Sequence, residues 1–328
     1  MASFLGEELV RVMRAVITGG AGFVGSHLVD AALGRGWSVV VVDDLSSGFM
    51  DNITRLQDEP RFEFIEADIC GKWTVNGQVD LVLNFASPAS PQKFLERPLE
   101  TLEVGATGMR NVAEMAIAKG ARLIQASTSE VYGEPLVHPQ HEEYWGNVNP
   151  IGPRSVYDES KRYAEALLGA YHRLGLLDVG VVRIFNTYGP RQHATDGRVV
   201  PNFVHQALSG TPLTLYGTGA QTRSFCYVGD LVRGILALAD LRGEFGPVNL
   251  GSQEEITVLE LARIVGDLTG TQVHLAYSEL PADDPTQRKP DISRAQAILD
   301  WKPEVNLREG LLKTIEWCSA NALPTRAV

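Results

Sequence analysis

Cysteine is scarce: the 328 residues hold three, Cys70, Cys226 and Cys318, scattered and odd in number. No Cys-x-x-Cys pair and no Cys/His metal spacing occurs, so neither a disulfide framework nor a metal site is expected. The thiols read as buried and free in a reducing compartment. Long apolar runs are also missing. The stretch "VVVV" at 39–42 falls far short of the roughly 20 residues that cross a bilayer. Residues 1–14, "MASFLGEELVRVMR", lack the apolar core and small-residue cleavage site of a secretion signal. A cytoplasmic protein without a membrane segment is the expectation. Positive charge is under-represented, with 29 Lys and Arg against 40 Asp and Glu and a net charge of −11. With no basic cluster, a nucleic-acid or anionic-membrane surface is excluded, and an anionic substrate would need local Arg or Lys. Composition is otherwise ordinary for a globular chain, at 44% hydrophobic and 21% charged.

What is present is order. Short β-branched runs, "RAVITGG", "WSVVVVDD", "RFEFIEAD", "VDLVLNFAS" and "ARLIQAS", alternate with helical patterns at 22–35 and about 98–119. Continuous apolar strands between helices imply strands buried on both faces. The fold class is therefore α/β, a Rossmann-like doubly wound parallel sheet, with a smaller C-terminal substrate-binding lobe. After "RIFNTYGPR" the pattern loosens, with short strands such as "LTLYG" and helices near 228–241, 257–268 and 307–320. The boundary is placed near residue 186. Residues 14–186 form the dinucleotide-binding domain with the catalytic residues, and 187–328 mainly the substrate lobe, with more than one crossing of the chain allowed.

The segment "VITGGAGFVGSHLVDAAL" sets Gly19, Gly22 and Gly25 three apart between a strand and a helix that starts with Phe23 and Val24. Small residues there let the backbone turn tightly and approach a pyrophosphate at the helix N-terminus. Asp43 ends the next strand, 24 residues after Gly19, where an acidic side chain meets adenosine ribose hydroxyls. Asp43 and Asp44 would repel a 2′-phosphate and no Arg follows at once, so NAD is expected over NADP. Asp68, with Ile69 beside it, either accepts from the adenine amino group or caps its strand.

In "YDESK", Tyr157 and Lys161 lie four apart on a segment that reads as helical from after Pro153 through Tyr171, so both face one way. A phenol is a poor base near pKa 10, and a neighbouring ammonium lowers that value. The pair could take a proton from an alcohol while NAD takes the hydride. Between the two motifs stands "ASTSEVYG", directly after a strand and so aimed at the crevice outside the strand ends. Thr128 can bond the same alcohol oxygen, whereas Ser127 reads as a cap. Glu130 exceeds what hydride transfer needs and suggests a further chemical step.

Together these residues resemble the extended short-chain dehydrogenase/reductase family of nucleotide-sugar enzymes, and within it the UDP-glucuronate decarboxylases. The likeness runs from about residue 14 to near the end. It is densest in "NFASPASP", "ASTSEVYGEPLVHPQHEEYWGNVNPIGPRSVYDESKRYAE", "RIFNTYGPRQHATDGRVVPNF", "YGTGAQTRSFCYV" and "DDPTQRKPDIS". The resemblance implies NAD as cofactor and a UDP-sugar substrate. It also implies a redox-neutral conversion of UDP-glucuronate to UDP-xylose through a 4-keto intermediate. Tyr157, Lys161 and Thr128 would serve the oxidation, and Glu130 and Arg223 the carboxylate-loss and protonation step. Ser129 stands where related dehydratases carry an Asp, which disfavours dehydration. Asn186, Arg198 and Arg288 would lie near the pyrophosphate, Tyr216 near the uracil, and Pro88 and Ala89 near the sugar carboxylate. Glu103 departs from the pattern, since relatives commonly carry Lys or Arg there. Either it turns away from the diphosphate or the substrate clamp is rebuilt. A homodimer paired through helices at 98–119 and 153–174 is implied as well. The competing readings are a 4-epimerase, an oxidative decarboxylase that releases the keto sugar, and a non-catalytic NAD-binding sensor.

Overall fold

The runs Ala15–Ile17 and Val39–Val42 have no polar face, and the fold buries both faces of each strand. Ala15, Ile17, Val39 and Val41 enter one core, while Val16, Val40 and Val42 enter the core on the opposite side of the sheet. Period-two alternation thus feeds two hydrophobic layers from one strand.

The computed structural model describes residues 12–321. In chain order it runs β1 (Arg14–Thr18), α1 (Phe23–Gly34), β2 (Ser38–Asp43), β3 (Phe62–Glu66), β4 (Leu81–Asn84), α2 (Pro91–Glu96), α3 (Pro98–Glu103), α4 (Met109–Lys119), β5 (Arg122–Thr128), α5 (Ser155–Arg173) and β6 (Val179–Ile184). There follow β7 (Thr187–Tyr188), α6 (Val199–Leu208), β8 (Leu213–Tyr216), β9 (Thr222–Ser224), β10 (Cys226–Tyr227), α7 (Val228–Asp240) and β11 (Val248–Leu250). The last elements are β12 (Glu255–Thr257), α8 (Val258–Thr269), β13 (Leu275–Ser278), β14 (Gln287–Arg288), α9 (Ser293–Leu299) and α10 (Leu307–Ala320).

Seven parallel strands form the central sheet in the order β11-β6-β5-β4-β1-β2-β3. This is the expected Rossmann-like α/β class. The order reverses between β1 and β4, so the chain leaves these neighbouring strands in opposite directions and opens a crevice at their carboxyl ends. The edge strand β11 comes from beyond residue 186. A third core, including Phe203, Leu261 and Leu311, joins α6, α8 and α10. In a separate three-stranded sheet, β9 pairs with β14 on one side and β12 on the other, which sets Arg223 beside Arg288. Gln140, fully buried, ties the loop after β5 to this region. Its N–H donates to Lys289 O at 2.9 Å, and its Oε1 accepts from Lys289 N at 2.9 Å. Among the described residues no helix is long and apolar enough to cross a membrane.

Candidate active site

The crevice is built first from glycines. Gly19 follows β1 with φ +71°, and a Cβ on it would lie 2.6 Å from the Phe85 carbonyl and Ala86 N. Gly22 caps α1, with Phe23 and Val24 opening its first turn. A Cβ on Gly25 would stand 2.0 Å from Gly19 O, so only hydrogen lets α1 pack on the loop. The cleft beside them is lined by Gly19, Gly22, Asp43, Asp44, Asp68 and Ile69, with Pro88 at its edge. Asp43 is buried, and its two oxygens accept from Ala21 N and Leu45 N, each at 2.9 Å. Burial raises its carboxyl above the ordinary range. It therefore shapes the glycine loop as well as facing the cleft. Asp68 accepts from Cys70 N at 2.8 Å in a local turn at the cleft wall. The cradle that a Cβ would fill, the free helix N-terminus and the acidic rim together fit a dinucleotide without a 2′-phosphate.

The proton-handling residues converge from β5 and α5. Tyr157 is 6% exposed and its ring stacks on Phe94 of α2 at 5.0 Å. Burial pushes its phenol up to about 12, while Arg198 and a hydrogen bond with Thr128 act against that rise. Lys161 lies 5.6 Å from the Tyr157 ring centre, but its Nζ donates to Ala126 O at 3.1 Å. Burial brings its ammonium down to about 8. The helical spacing thus puts both on one face, with Lys161 anchored to the end of β5 rather than to the phenol oxygen. Ser127 donates to Glu165 at 2.5 Å, which pairs with Arg183, while the side chain that caps the turn after β5 is Thr128, accepting from Glu130 N at 3.2 Å.

Glu130 sits in a knot of charge. Arg288 approaches one of its oxygens at 2.5 Å and Arg154 the other at 2.9 Å. Burial alone would raise this carboxyl, but Arg288 and Arg154 outweigh it and hold it well below the usual range. Arg288 also donates to Ser129 Oγ at 3.3 Å and Gly133 O at 3.1 Å. Asp284 continues the knot, 3.5 Å from Arg154 and 2.9 Å from Arg223. Arg223 is 9% exposed, and burial lowers its guanidinium's affinity for the proton. Asp158 is 6% exposed with Oδ1 unpartnered; burial first, then the Glu130 charge, raises its carboxyl to about 7.

Arg198 reaches Ala89 O and pairs with Asp196 at 3.0 Å, next to Pro88 in the chain. Asn186 keeps a buried Nδ2 without a partner, a donor available to a ligand oxygen. Tyr216 stands 40% exposed at the end of β8, on a two-stranded sheet with β13, outside the charge knot. Glu103 is exposed and lines a cavity with Asp44, Asp68, Cys70 and Arg97, at the acidic end of the cofactor cleft. Among the described residues no group of three or more His, Cys, Asp or Glu is placed to hold a metal.

Arg154, Asp158, Asp284 and Phe94 were not singled out from the sequence. The first two had a usable signal: Arg154, Tyr157, Asp158 and Lys161 fall at helical i, i+3, i+4 and i+7 positions. Asp284 had none, because its partners are 61 and 130 residues away in the chain.

Residues 15–251 match the model of the NAD dependent epimerase/dehydratase family. The chain is 49% identical over 303 residues to UDP-glucuronic acid decarboxylase 1 of Arabidopsis thaliana, covering 92% of this chain and 69% of that one. Over 306 residues it is 48% identical to UDP-glucuronic acid decarboxylase 1 of Danio rerio, covering 93% and 72%. A solved UDP-glucuronic acid 4-epimerase mutant of Bacillus cereus, in complex with UDP-4-deoxy-4-fluoro-glucuronic acid and NAD, superposes with TM-score 0.83 at 27% identity, covering 94% of this chain and 99% of that one.

Proposed function

Since the chain belongs to the NAD dependent epimerase/dehydratase family, and within it to the UDP-glucuronic acid decarboxylases, we propose that it converts UDP-glucuronate to UDP-xylose and carbon dioxide through a 4-keto intermediate. The observation that carries this reading is the buried knot of Glu130, Arg288, Arg154, Asp284 and Arg223. In a protein of net charge −11, three buried arginines held together by only two carboxylates suit an anionic sugar nucleotide, and alcohol oxidation alone does not require them.

NAD is the cofactor, and bound there it would supply a reversible hydride acceptor for sugar carbon 4 and, when oxidised, a positive charge that would favour the phenolate. Gly19, Gly22, Phe23, Val24 and Gly25 hold its pyrophosphate at α1, while Asp43, Asp44, Asp68 and Ile69 receive the adenosine. Tyr157 takes the proton of the carbon 4 hydroxyl at its phenol oxygen, and Thr128 shares a hydrogen bond there. Lys161, fixed on Ala126 O, supplies positive charge beneath the ring. With a ketone at carbon 4, the electron pair left when carbon 5 loses carbon dioxide passes to the carbon 4 oxygen as an enolate. Tyr157, now protonated, and Thr128 stabilise that oxygen by donating hydrogen bonds.

Glu130 is held ionised, so it acts by fixing Arg154 and Arg288 rather than by donating a proton. Arg223 serves the carboxylate-loss and protonation step. Ser129 offers no acid to a leaving hydroxyl, which sets the reaction apart from dehydration. Asn186, Arg198 and Arg288 hold the substrate diphosphate, Tyr216 the uracil, and Pro88 and Ala89 the sugar carboxylate. Exposed Leu99 and Leu102 on α3 and Tyr163 on α5 support a homodimer through these helices, testable by light scattering. The three unpaired thiols support a reducing, cytoplasmic setting.

Mass spectrometry of UDP-glucuronate incubated with protein and NAD tests the reading, with NADH absorbance followed in parallel. Loss of carbon dioxide without accumulating NADH is expected. Unchanged mass with altered configuration would replace it with an epimerase, and rising NADH with an oxidative decarboxylase. Cofactor binding with no sugar chemistry would leave a sensor.

A further inference from the structure

Two loops reach the N-terminal half of α1. The loop after β2 lines the cofactor cleft with Ser46, Ser47 and Gly48. It is pinned to the helix entrance by Phe49 N to Ala21 O at 3.1 Å and Asn52 Nδ2 to Ala21 O at 2.9 Å. The loop after β7 is pinned to the same helix by His27 Nε2 with Pro190 O at 2.9 Å and Arg191 Nη1 to Ser26 O at 3.1 Å. One carboxylate, Asp30, pairs with a guanidinium from each loop, Arg55 and Arg191. Where the loops meet, the rings of Phe49 and His193 lie face to face, 4.1 Å apart and 9° from parallel.

Neither the hydrophobic cores nor the proton chemistry uses this stack. Phe49 is 37% exposed, so the contact is not a by-product of core packing. We propose that the Phe49–His193 stack, which begins one residue beyond Gly48 at the rim of the cofactor cleft, clasps the two loops together as a strap that slows dinucleotide release and thereby decides which product leaves. The second half of this inference rests on the decarboxylase reading above. The pyrophosphate belongs at the N-terminus of α1, which both loops flank, so escape requires them to part. A redox-neutral cycle must keep the reduced cofactor bound until the ketone is reduced. If it escapes first, UDP-glucuronate and NAD give UDP-4-keto-pentose, carbon dioxide and NADH, a balanced reaction with a different product.

The test compares Phe49→Ala and His193→Ala with His193→Phe, which replaces one flat ring by another. NADH fluorescence, followed after an excess of unlabelled NAD is added to trap the freed sites, gives the release rate without any sugar. The two alanine variants should release NADH roughly three- to tenfold faster, the value expected for one aromatic stack, with His193→Phe near wild type. Their ratio of UDP-4-keto-pentose to UDP-xylose should rise in step. Release rates in both alanine variants within about twofold of wild type would overturn the strap. Faster release with an unchanged product ratio would overturn its control of the product. Failure of the wild type to decarboxylate would instead sink the enzymatic reading, because the release rates are measured independently of it.

Discussion

Replacing Glu130 by Gln keeps the shape of the side chain and removes the carboxylate on which Arg288 and Arg154 both close. These cations are only 2% and 7% exposed, and their contacts with Glu130 are 2.5 and 2.9 Å. Water cannot take over, so the loss resembles the breaking of a buried ion pair, which costs about 3 to 5 kcal/mol. Asp284 still faces Arg154 at 3.5 Å and the amide oxygen of Gln still accepts, which favours the lower end. About 3 kcal/mol corresponds to a fall in Tm of roughly 4 °C for a chain of this size. The folded carboxyl titrates below its unfolded value, so its stabilisation is complete above an unfolded pKa of about 4.3 and is lost as pH falls through the folded value. Thermal unfolding of Glu130→Gln should therefore differ most from wild type at pH 7 and converge toward it in acid. Equal Tm values at pH 7, with the same response to acid, would refute the reasoning. Turnover should also fall, without any wild-type ionisation from Glu130 between pH 5 and 9.

Tyr157→Phe should cut turnover of UDP-glucuronate by about a hundredfold or more while leaving NAD binding in place; UDP-xylose formed at the wild-type rate would remove Tyr157 from the proton transfer. Asp158 titrates near 7 when folded, above its unfolded value, so its contribution is present below about pH 4 and lost as pH rises through 7. Wild-type Tm should accordingly drop more between pH 5 and 8 than that of Asp158→Asn, and parallel curves would show that this carboxyl is not held protonated. Gly25→Ala places a methyl 2.0 Å from Gly19 O and should weaken NAD binding by about tenfold or more in calorimetry; unaltered affinity would mean that α1 can shift without loss.

The features legible in the sequence are those in which neighbours along the chain decide the outcome. The valine run of β2, the glycine spacing before α1 and the Tyr157–Lys161 helical face all depend on local periodicity, and the fold keeps each of them. The edge strand β11 has three residues and follows β6 by 64, so its place in the sheet is decided by tertiary pairing rather than by its own pattern. The charge knot is hidden for the same reason. Arg288 meets Glu130 because β14 lies along β9 and Gln140 ties the intervening loops together, and no spacing rule encodes that meeting. Lys161 is an intermediate case. Its helical face was visible from the spacing, but its bond to Ala126 O depends on how α5 packs against β5.

The most direct test of the central claim is nuclear magnetic resonance of the product formed from UDP-glucuronate in heavy water. A 4-keto route with a retained cofactor predicts UDP-xylose carrying solvent deuterium at carbon 5 and the original hydrogen at carbon 4. Deuterium at carbon 4, or a sugar that keeps its carboxylate, would contradict the account.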